Sequence, residues 1–181
     1  MTTRQSIKLR KSPEKFLDAP LDKKVLETIV EMGNYAPIFG KIHFTVVTDR
    51  KLLDTVNEIT IEKMKHSGNE FAEKMANLPG YNPVRNAPAA VILSALDQTG
   101  SENFNMANVS CAAENMILAA TELGIGSRFV MGPVMSLTQE PLKTQLHLPD
   151  GYTPLVMVLL GNTEDPWEER RKESTNIAFL S

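Results

Sequence analysis

The 181-residue chain is predicted to fold as a single α+β domain in which one β-sheet is flanked by helices. Its length suits one compact domain, and a hydrophobic content of 42% against 23% charged residues allows a core of useful size. Short runs rich in β-branched residues alternate along the chain with longer segments whose apolar residues have helical spacing. Strands and helices mixed in this order are typical of a layered α+β structure.

The first predicted helix covers residues 25–32, where apolar residues recur at helical spacing. Asp22 is placed to act in its first turn, and Gly33-Asn34 to end it. The sequence IHFTVVT, residues 42–48, is rich in β-branched and aromatic residues and ends at a polar pair, so it predicts a strand.

A charged amphipathic stretch then predicts helix from about residue 52 to residue 77, with an interruption near Ser67-Gly68. Near the carboxyl end, SLTQEPLKTQL predicts a short helix with Ser136 or Thr138 as its N-cap and Pro141 in its first turn. The remaining predicted elements are three strands and one long helix: strands at 89–95, 127–131 and 154–161, and a helix at about 104–123.

The long helix is unusual because small and apolar side chains occupy nearly all of its sides in AAENMILAATELGIGSRFVMGP, residues 112–133. A helix without a polar face must be enclosed. The glycine pair that follows it lacks the third glycine and the strand–turn–helix order of a dinucleotide fingerprint, since Phe129 stands at the required position. Gly124 is therefore predicted to end the helix in the left-handed conformation.

Composition excludes several classes of function. A formal net charge of -3 argues against a nucleic-acid partner. No apolar run is long enough for a membrane span, and the polar amino terminus predicts no leader. A single cysteine, Cys111, suits a reducing compartment, so we expect a cytoplasmic protein. No metal site is predicted, because the three histidines lie far apart without ligand spacing, and no serine has the setting of a hydrolase nucleophile.

Two basic clusters have two open interpretations each. Arg10, Lys11 and Ser12 place two cations and a hydroxyl together, which is either solvated surface or a phosphate site, since phosphate groups favour charge-assisted donors. The sequence ERRKE, residues 169–173, is either a solvated arm with internal ion pairs or a functional basic element.

Taken in order, these motifs resemble the FMN-dependent nitroreductase family over nearly the whole chain. The central helix and its turn carry the most specific similarity, since Glu-Asn-Met-x-Leu-Ala-Ala followed by Leu-Gly-x-Gly-Ser is difficult to reach by composition alone. Five segments carry the resemblance: RKSPEKF at 10–16, NYAPIFGKIHFTVV at 34–47, NAPAAVIL at 86–93, AAENMILAATELGIGS at 112–127 and RRKE at 170–173.

The resemblance implies a nitroreductase-like fold, with a mixed, mainly antiparallel sheet flanked by helices, in an intertwined homodimer. It implies one FMN-binding domain over residues 1–181, whose carboxyl-terminal arm, about 162–181, docks on the partner subunit. It also implies ping-pong hydride transfer from NADH or NADPH through flavin N5 to a small electron acceptor such as a nitroaromatic or a quinone, without a catalytic side chain.

Residue by residue, the resemblance assigns FMN contacts to nine positions. Arg10, Lys11, Ser12 and Arg171 would hold the phosphate. The ring and ribityl chain would lie along Pro37, Ile38, Phe39 and Gly40, and backbone N–H groups near Gly132 would face the N5 edge.

The sequence departs from the family pattern in two regions. Glu14 stands where the family has a second cation, and the loop after Ala36-Pro37 is short and lacks the usual polar residues, although Lys41 is placed to replace one such contact. These departures leave two alternatives to the enzyme: a flavin-binding carrier or sensor without turnover, and a structural homodimer with an empty pocket.

Overall fold

A computed structural model describes residues 1–97, 102–169 and 177–180. Its described strands form one sheet in the order β1-β2-β4-β3, and each neighbouring pair is antiparallel. This arrangement confirms the predicted α+β class and the antiparallel sheet. The strands are β1 (Ile42–Val47), β2 (Ala89–Leu96), β3 (Gly126–Val130) and β4 (Tyr152–Gly161).

The described helices lie between and before these strands. They are α1 (Thr3–Leu9), α2 (Lys23–Gly33), α3 (Arg50–Lys65), α4 (Glu70–Ala76), α5 (Glu102–Glu122), α6 (Val134–Leu137) and α7 (Leu142–Gln145). Asn34 ends α2, as the sequence predicts. Asp22 lies just before the first turn and caps the helix instead of lying in that turn; its carboxylate accepts a hydrogen bond from the Lys24 N–H. The predicted break near Ser67-Gly68 is also confirmed, because a new N-cap, Asn69, starts α4 there.

Apolar side chains cover both faces of the sheet. One face packs against α2 and α5, and the other against α3, α6 and α7. The two faces alternate along β2, where Val91 and Leu93 belong to the first core and Ala90 and Ile92 to the second. A strand buried on both faces explains why this run is continuously apolar in the sequence.

Helix α5 ends in a Schellman motif that leads directly into β3. Gly124 has φ +73°, its N–H donates to the Thr121 carbonyl at 3.1 Å, and the Ile125 N–H donates to the Ala120 carbonyl at 2.8 Å. The predicted left-handed glycine cap is confirmed. It reverses the chain within two residues, so that β3 begins close to the end of the helix.

Two features differ from the sequence prediction. The amino terminus forms α1, which was not predicted; Thr2 and Gln5 make a capping box that starts it. The predicted N-caps at Ser136 and Thr138 are wrong, because Ser136 lies inside α6 and Thr138 ends it, while α7 begins after Pro141. A hydroxyl before an apolar run predicts a cap only when a helix begins there, and here the helix had already begun.

None of the described helices combines the length and the hydrophobicity that a membrane span requires.

Candidate functional site

The segment after α1 lies between β3 and the loop before β2. Arg10 is the C-cap of α1, and its N–H donates to the Ser6 carbonyl at 2.9 Å. A Cβ on Gly126 of β3 would lie 2.9 Å from Pro13 Cγ, so this glycine is what permits the segment to approach the strand. The buried Phe16 closes the segment, and its N–H donates to the Arg85 carbonyl at 3.2 Å.

Three predicted residues lie together on this segment. Arg10 Nε is 3.5 Å from a Glu114 carboxylate oxygen, and Lys11 Nζ donates to the Asp165 carbonyl at 2.7 Å and lies 4.7 Å from the centre of the Trp167 ring. Ser12 is exposed. The end of α1 therefore carries two cations and an exposed serine. An anionic phosphate requires donors of this kind, so the residues present fit a phosphate group.

Glu14, which departs from the family pattern, is neutralised by two arginines. Glu14 Oε1 accepts a hydrogen bond from Arg128 Nη1 at 2.8 Å, and Glu14 Oε2 forms an ion pair with Arg85 Nη1 at 2.8 Å. The hydrogen bond from Arg128 lowers the pKa of the Glu14 carboxyl below its usual value against the opposing effect of burial, and the positive charges of Arg128 and Arg85 lower that pKa further. Glu14 is therefore ionised at neutral pH, and its negative charge faces two cations instead of the neighbouring donors.

The loop that contains Pro37, Ile38, Phe39 and Gly40 is fixed to the start of α5. The Phe39 N–H donates to Asn108 Oδ1 at 3.0 Å, and Asn108 Nδ2 donates back to the Phe39 carbonyl. Ile38 packs against the α2–α5 core, whereas the Phe39 side chain is 77% exposed. Gly40 has φ +108°, a conformation that favours glycine. An amide clamp of this kind gives the loop a defined shape despite its short length.

This loop and the amino-terminal donors contact α5 at different points. The loop contacts α5 at Asn108, whereas Arg10 contacts it at Glu114, nearly two turns further along. Across the residues that the structure describes, no hydrogen bond or ion pair joins Pro37–Gly40 to Arg10, Lys11 or Ser12.

The remaining two predicted residues have different outcomes. Gly132 lies exposed in the turn between β3 and α6, and no atom lies within 4 Å of the position where its Cβ would be. The backbone is therefore open to a flat ligand at this point. Arg171 lies outside the described residues, and its assignment stays a prediction.

Residues 162–169 follow β4 and cross back over α1 of the same chain. Lys8 Nζ lies 3.1 Å from a Glu169 carboxylate oxygen, and Lys11 contacts Asp165 and Trp167 as described above. Beyond them, the described residues 177–180 are all exposed. The docking of the arm on a partner subunit stays a prediction.

Sequence reasoning missed four residues that shape the site: Arg85, Asn108, Glu114 and Arg128. Only Asn108 carries a signal, since it is a polar side chain at a buried position of an apolar helix. The other three gain their roles from contacts with residues more than 70 positions away, which no local pattern reports. The described residues contain no group of three or more His, Cys, Asp or Glu placed to hold a metal ion.

Comparison with known proteins gives consistent similarities. Residues 7–162 match the model of the nitroreductase family. A relative from Archaeoglobus fulgidus, provisionally named an NADH dehydrogenase/NAD(P)H nitroreductase, is 28% identical over 162 residues, covering 86% of this chain and 82% of its own. The crystal structure of a nitroreductase with bound FMN from Bacteroides fragilis is 25% identical and superposes with a TM-score of 0.86 over 100% of both chains. A nitroreductase with bound FMN from Desulfitobacterium hafniense shares the fold at the same TM-score and coverage with 19% identity.

Proposed function

Because the chain belongs to the nitroreductase family, we propose that it is an FMN-dependent NAD(P)H oxidoreductase that reduces flat, electron-poor acceptors such as nitroaromatics and quinones. The observation that carries the proposal is the donor set at the end of α1, Arg10, Lys11 and Ser12, in a chain that matches an FMN-bound structure over its full length. A phosphate monoester is the ligand that this combination of cations, hydroxyl and extended backbone suits.

In this proposal, the side chains of the domain bind and orient the cofactor. Arg10 and Lys11 neutralise the FMN phosphate, and the Ser12 hydroxyl donates to it. Pro37, Ile38 and Phe39 supply apolar surface for the ring, and the open backbone at Gly132 presents N–H groups to its edge. When bound, FMN supplies the hydride chemistry, so the protein needs no catalytic side chain.

The proposal includes a homodimer, because in the described residues no hydrogen bond or ion pair joins the loop at Phe39 to the donors at Arg10, and apolar side chains near the loop are exposed. The ring-facing loop exposes Phe39, and the neighbouring face of α5 exposes Phe104 and Cys111. Large exposed apolar side chains clustered on one surface are typical of an interface. Pairing two chains through this surface buries them and brings the loop of one chain toward the Arg10 donors of the other.

The proposal also docks the carboxyl-terminal arm on the partner subunit. Ile177, Phe179 and Leu180 are exposed in their own chain. A groove of about 760 Å³, lined by both apolar and charged or polar residues, lies between α2 and β1, which is an edge strand of the described sheet. An edge strand presents unpaired N–H and C=O groups that another segment can complete. We therefore place the arm of the partner subunit in this groove.

The experiment that tests the proposal is an absorption spectrum of the freshly purified protein, followed by anaerobic addition of NADH or NADPH. Flavin bands that bleach on addition of nicotinamide and return with a nitroaromatic or a quinone support the enzyme. Bound flavin that neither nicotinamide reduces favours the carrier or sensor instead. Colourless protein that takes up no added FMN leaves only the structural homodimer.

The same preparation decides the nicotinamide preference, because the two reductants are compared at equal concentration. The proposal also places the enzyme in the cytoplasm, where its free Cys111 stays reduced.

A further inference from the structure

We propose that Arg128 is a phosphate-binding residue of the FMN site and that Glu14 is the positioning residue that holds it there. Together they replace the cation that the family motif has at position 14. The inference rests on the proposed function, and it assigns a role to a strand residue that the amino-terminal motif does not contain.

The position of Arg128 is the first argument. Its Nη1 atom donates to the Pro13 carbonyl at 2.9 Å, to the Ser12 carbonyl at 3.3 Å and to Glu14 Oε1 at 2.8 Å. The guanidinium group of this β3 residue therefore lies directly against the backbone of Ser12, whose hydroxyl is one of the phosphate donors. Arg128 thus supplies a positive charge beside residue 14, where the family motif has a cation.

The free donors of Arg128 are the second argument. All the hydrogen bonds that it makes within the described part of the chain use Nη1, so the fork formed by Nη2 and Nε has no partner there. The side chain is 20% exposed. An arginine that is fixed at one nitrogen and open at the others is pre-organised to bind a phosphate oxygen, because little side-chain entropy remains to be lost.

The charge of the cluster is the third argument. Glu14 contributes one negative charge, and Arg85 and Arg128 contribute two positive charges, which leaves a net charge of one positive. Arg85 is itself held, since its guanidinium lies 5.6 Å from the centre of the Tyr81 ring. A carboxylate that would repel phosphate if it stood alone thus becomes the residue that fixes a cation beside the phosphate donors.

A purely structural role for Arg128 makes a different prediction from a phosphate-binding role. The structural role would affect every ligand of the pocket equally, whereas the proposed role affects only ligands that carry the phosphate. FMN and riboflavin differ only in this group. The ratio of their dissociation constants is therefore the decisive readout.

The experiment measures the binding of FMN and of riboflavin to the apoprotein by quenching of flavin fluorescence. The variants are Arg128→Ala, Arg128→Lys and Glu14→Gln. Arg50→Ala is the matched control, because Arg50 also joins a carboxylate, Asp18 at 3.0 Å, and a carbonyl, Ala87 at 3.3 Å, but lies at the start of α3.

For Arg128→Ala we expect FMN to bind about tenfold more weakly or worse, the effect of a lost charge-assisted hydrogen bond, with riboflavin binding changed by less than about twofold. Arg128→Lys keeps the charge without the fork and should lose part of this preference. Glu14→Gln should reduce the FMN preference as well. Adding it to Arg128→Ala should cause little further loss, since both changes act on one interaction. Arg50→Ala should leave the ratio unchanged.

An unchanged ratio in Arg128→Ala, or equal weakening of both flavins, overturns the inference while FMN binding by the unaltered protein keeps the proposed function. If Arg128→Ala does not fold, Arg128→Lys and Glu14→Gln decide the matter by the same ratio. If the unaltered protein binds neither flavin, the proposed function fails and this inference fails with it.

Discussion

The two sides of α5 both carry small or apolar residues in sequence, with Glu114 the charged exception on one of them, but they have different surroundings in the structure. On the side that faces the sheet, Ala113, Met116 and Ala120 are completely buried. On the opposite side, residues 104, 107, 111 and 114 follow each other at helical spacing and are all exposed. The single chain thus satisfies the requirement for enclosure on only one side of its central helix.

Under the proposed homodimer, burial by the chain itself and burial by a partner leave the same signature in a sequence. The sheet-facing side of α5 is packed closely: a Cβ on Gly33 of α2 would lie only 3.2 Å from Met116. On the outer side, Glu114 forms an ion pair with Arg10 at 3.5 Å, and Phe104 is 60% exposed. Under the proposed homodimer, this outer side is where the second chain packs.

Met116→Asp should have the largest effect, because it places an unpaired charge in the sheet-facing core. We expect a loss of more than about 4 kcal/mol in the free energy of unfolding, a large fraction of the stability of a typical domain. Chemical denaturation followed by circular dichroism measures it. Met116→Leu, which keeps the volume, should cost less than about 1.5 kcal/mol. Equal stability of the Asp and Leu variants would show that this side is not the core.

Cys111→Arg, on the outer side of α5, should affect dimerisation without affecting folding. The side chain is exposed in the single chain, so the arginine fits a folded monomer. At the centre of a homodimer interface it would introduce two buried charges, one from each chain. We therefore expect folded monomers by sedimentation velocity, with a far-UV spectrum like that of the unaltered protein and with weakened FMN retention.

Cys111→Ser is the control for this change, since it alters neither size nor charge, and it should remain a dimer. A Cys111→Arg variant that sediments as a dimer would place the interface elsewhere and would remove the explanation for the apolar outer side of α5.

Local patterns predicted most elements well, because their causes lie within a few residues. The stop at Asn34 and the glycine cap at Gly124 are each decided by one turn of backbone. The helix α1 was missed for a local reason as well: it has few apolar residues, and the Thr2–Gln5 capping box supports it instead of hydrophobic periodicity.

The candidate site could be predicted only in part, since it depends on contacts between distant segments. The sequence placed Arg10, Lys11 and Ser12 together because they are adjacent. It could not show that Glu14 turns toward Arg128, since 114 residues separate them and the contact exists only after β3 packs on Pro13. Nor could it show that the loop at Phe39 and these donors contact α5 at different points.

Gly124→Ala should have the smallest effect, and it acts where both sides of α5 end. Nothing lies within 4 Å of the new Cβ, so the cost is that of holding alanine at φ +73°, about 1 kcal/mol. A thermal melt should show a midpoint lower by about 2–4 °C. Gly132→Ala is the matched control, because its Cβ is equally free of neighbours and its φ does not lie in the left-handed region. Equal midpoints for the two variants would argue against the glycine cap. A change in the sedimentation of Gly124→Ala would mean that the cap supports the outer side of α5 as well as the fold.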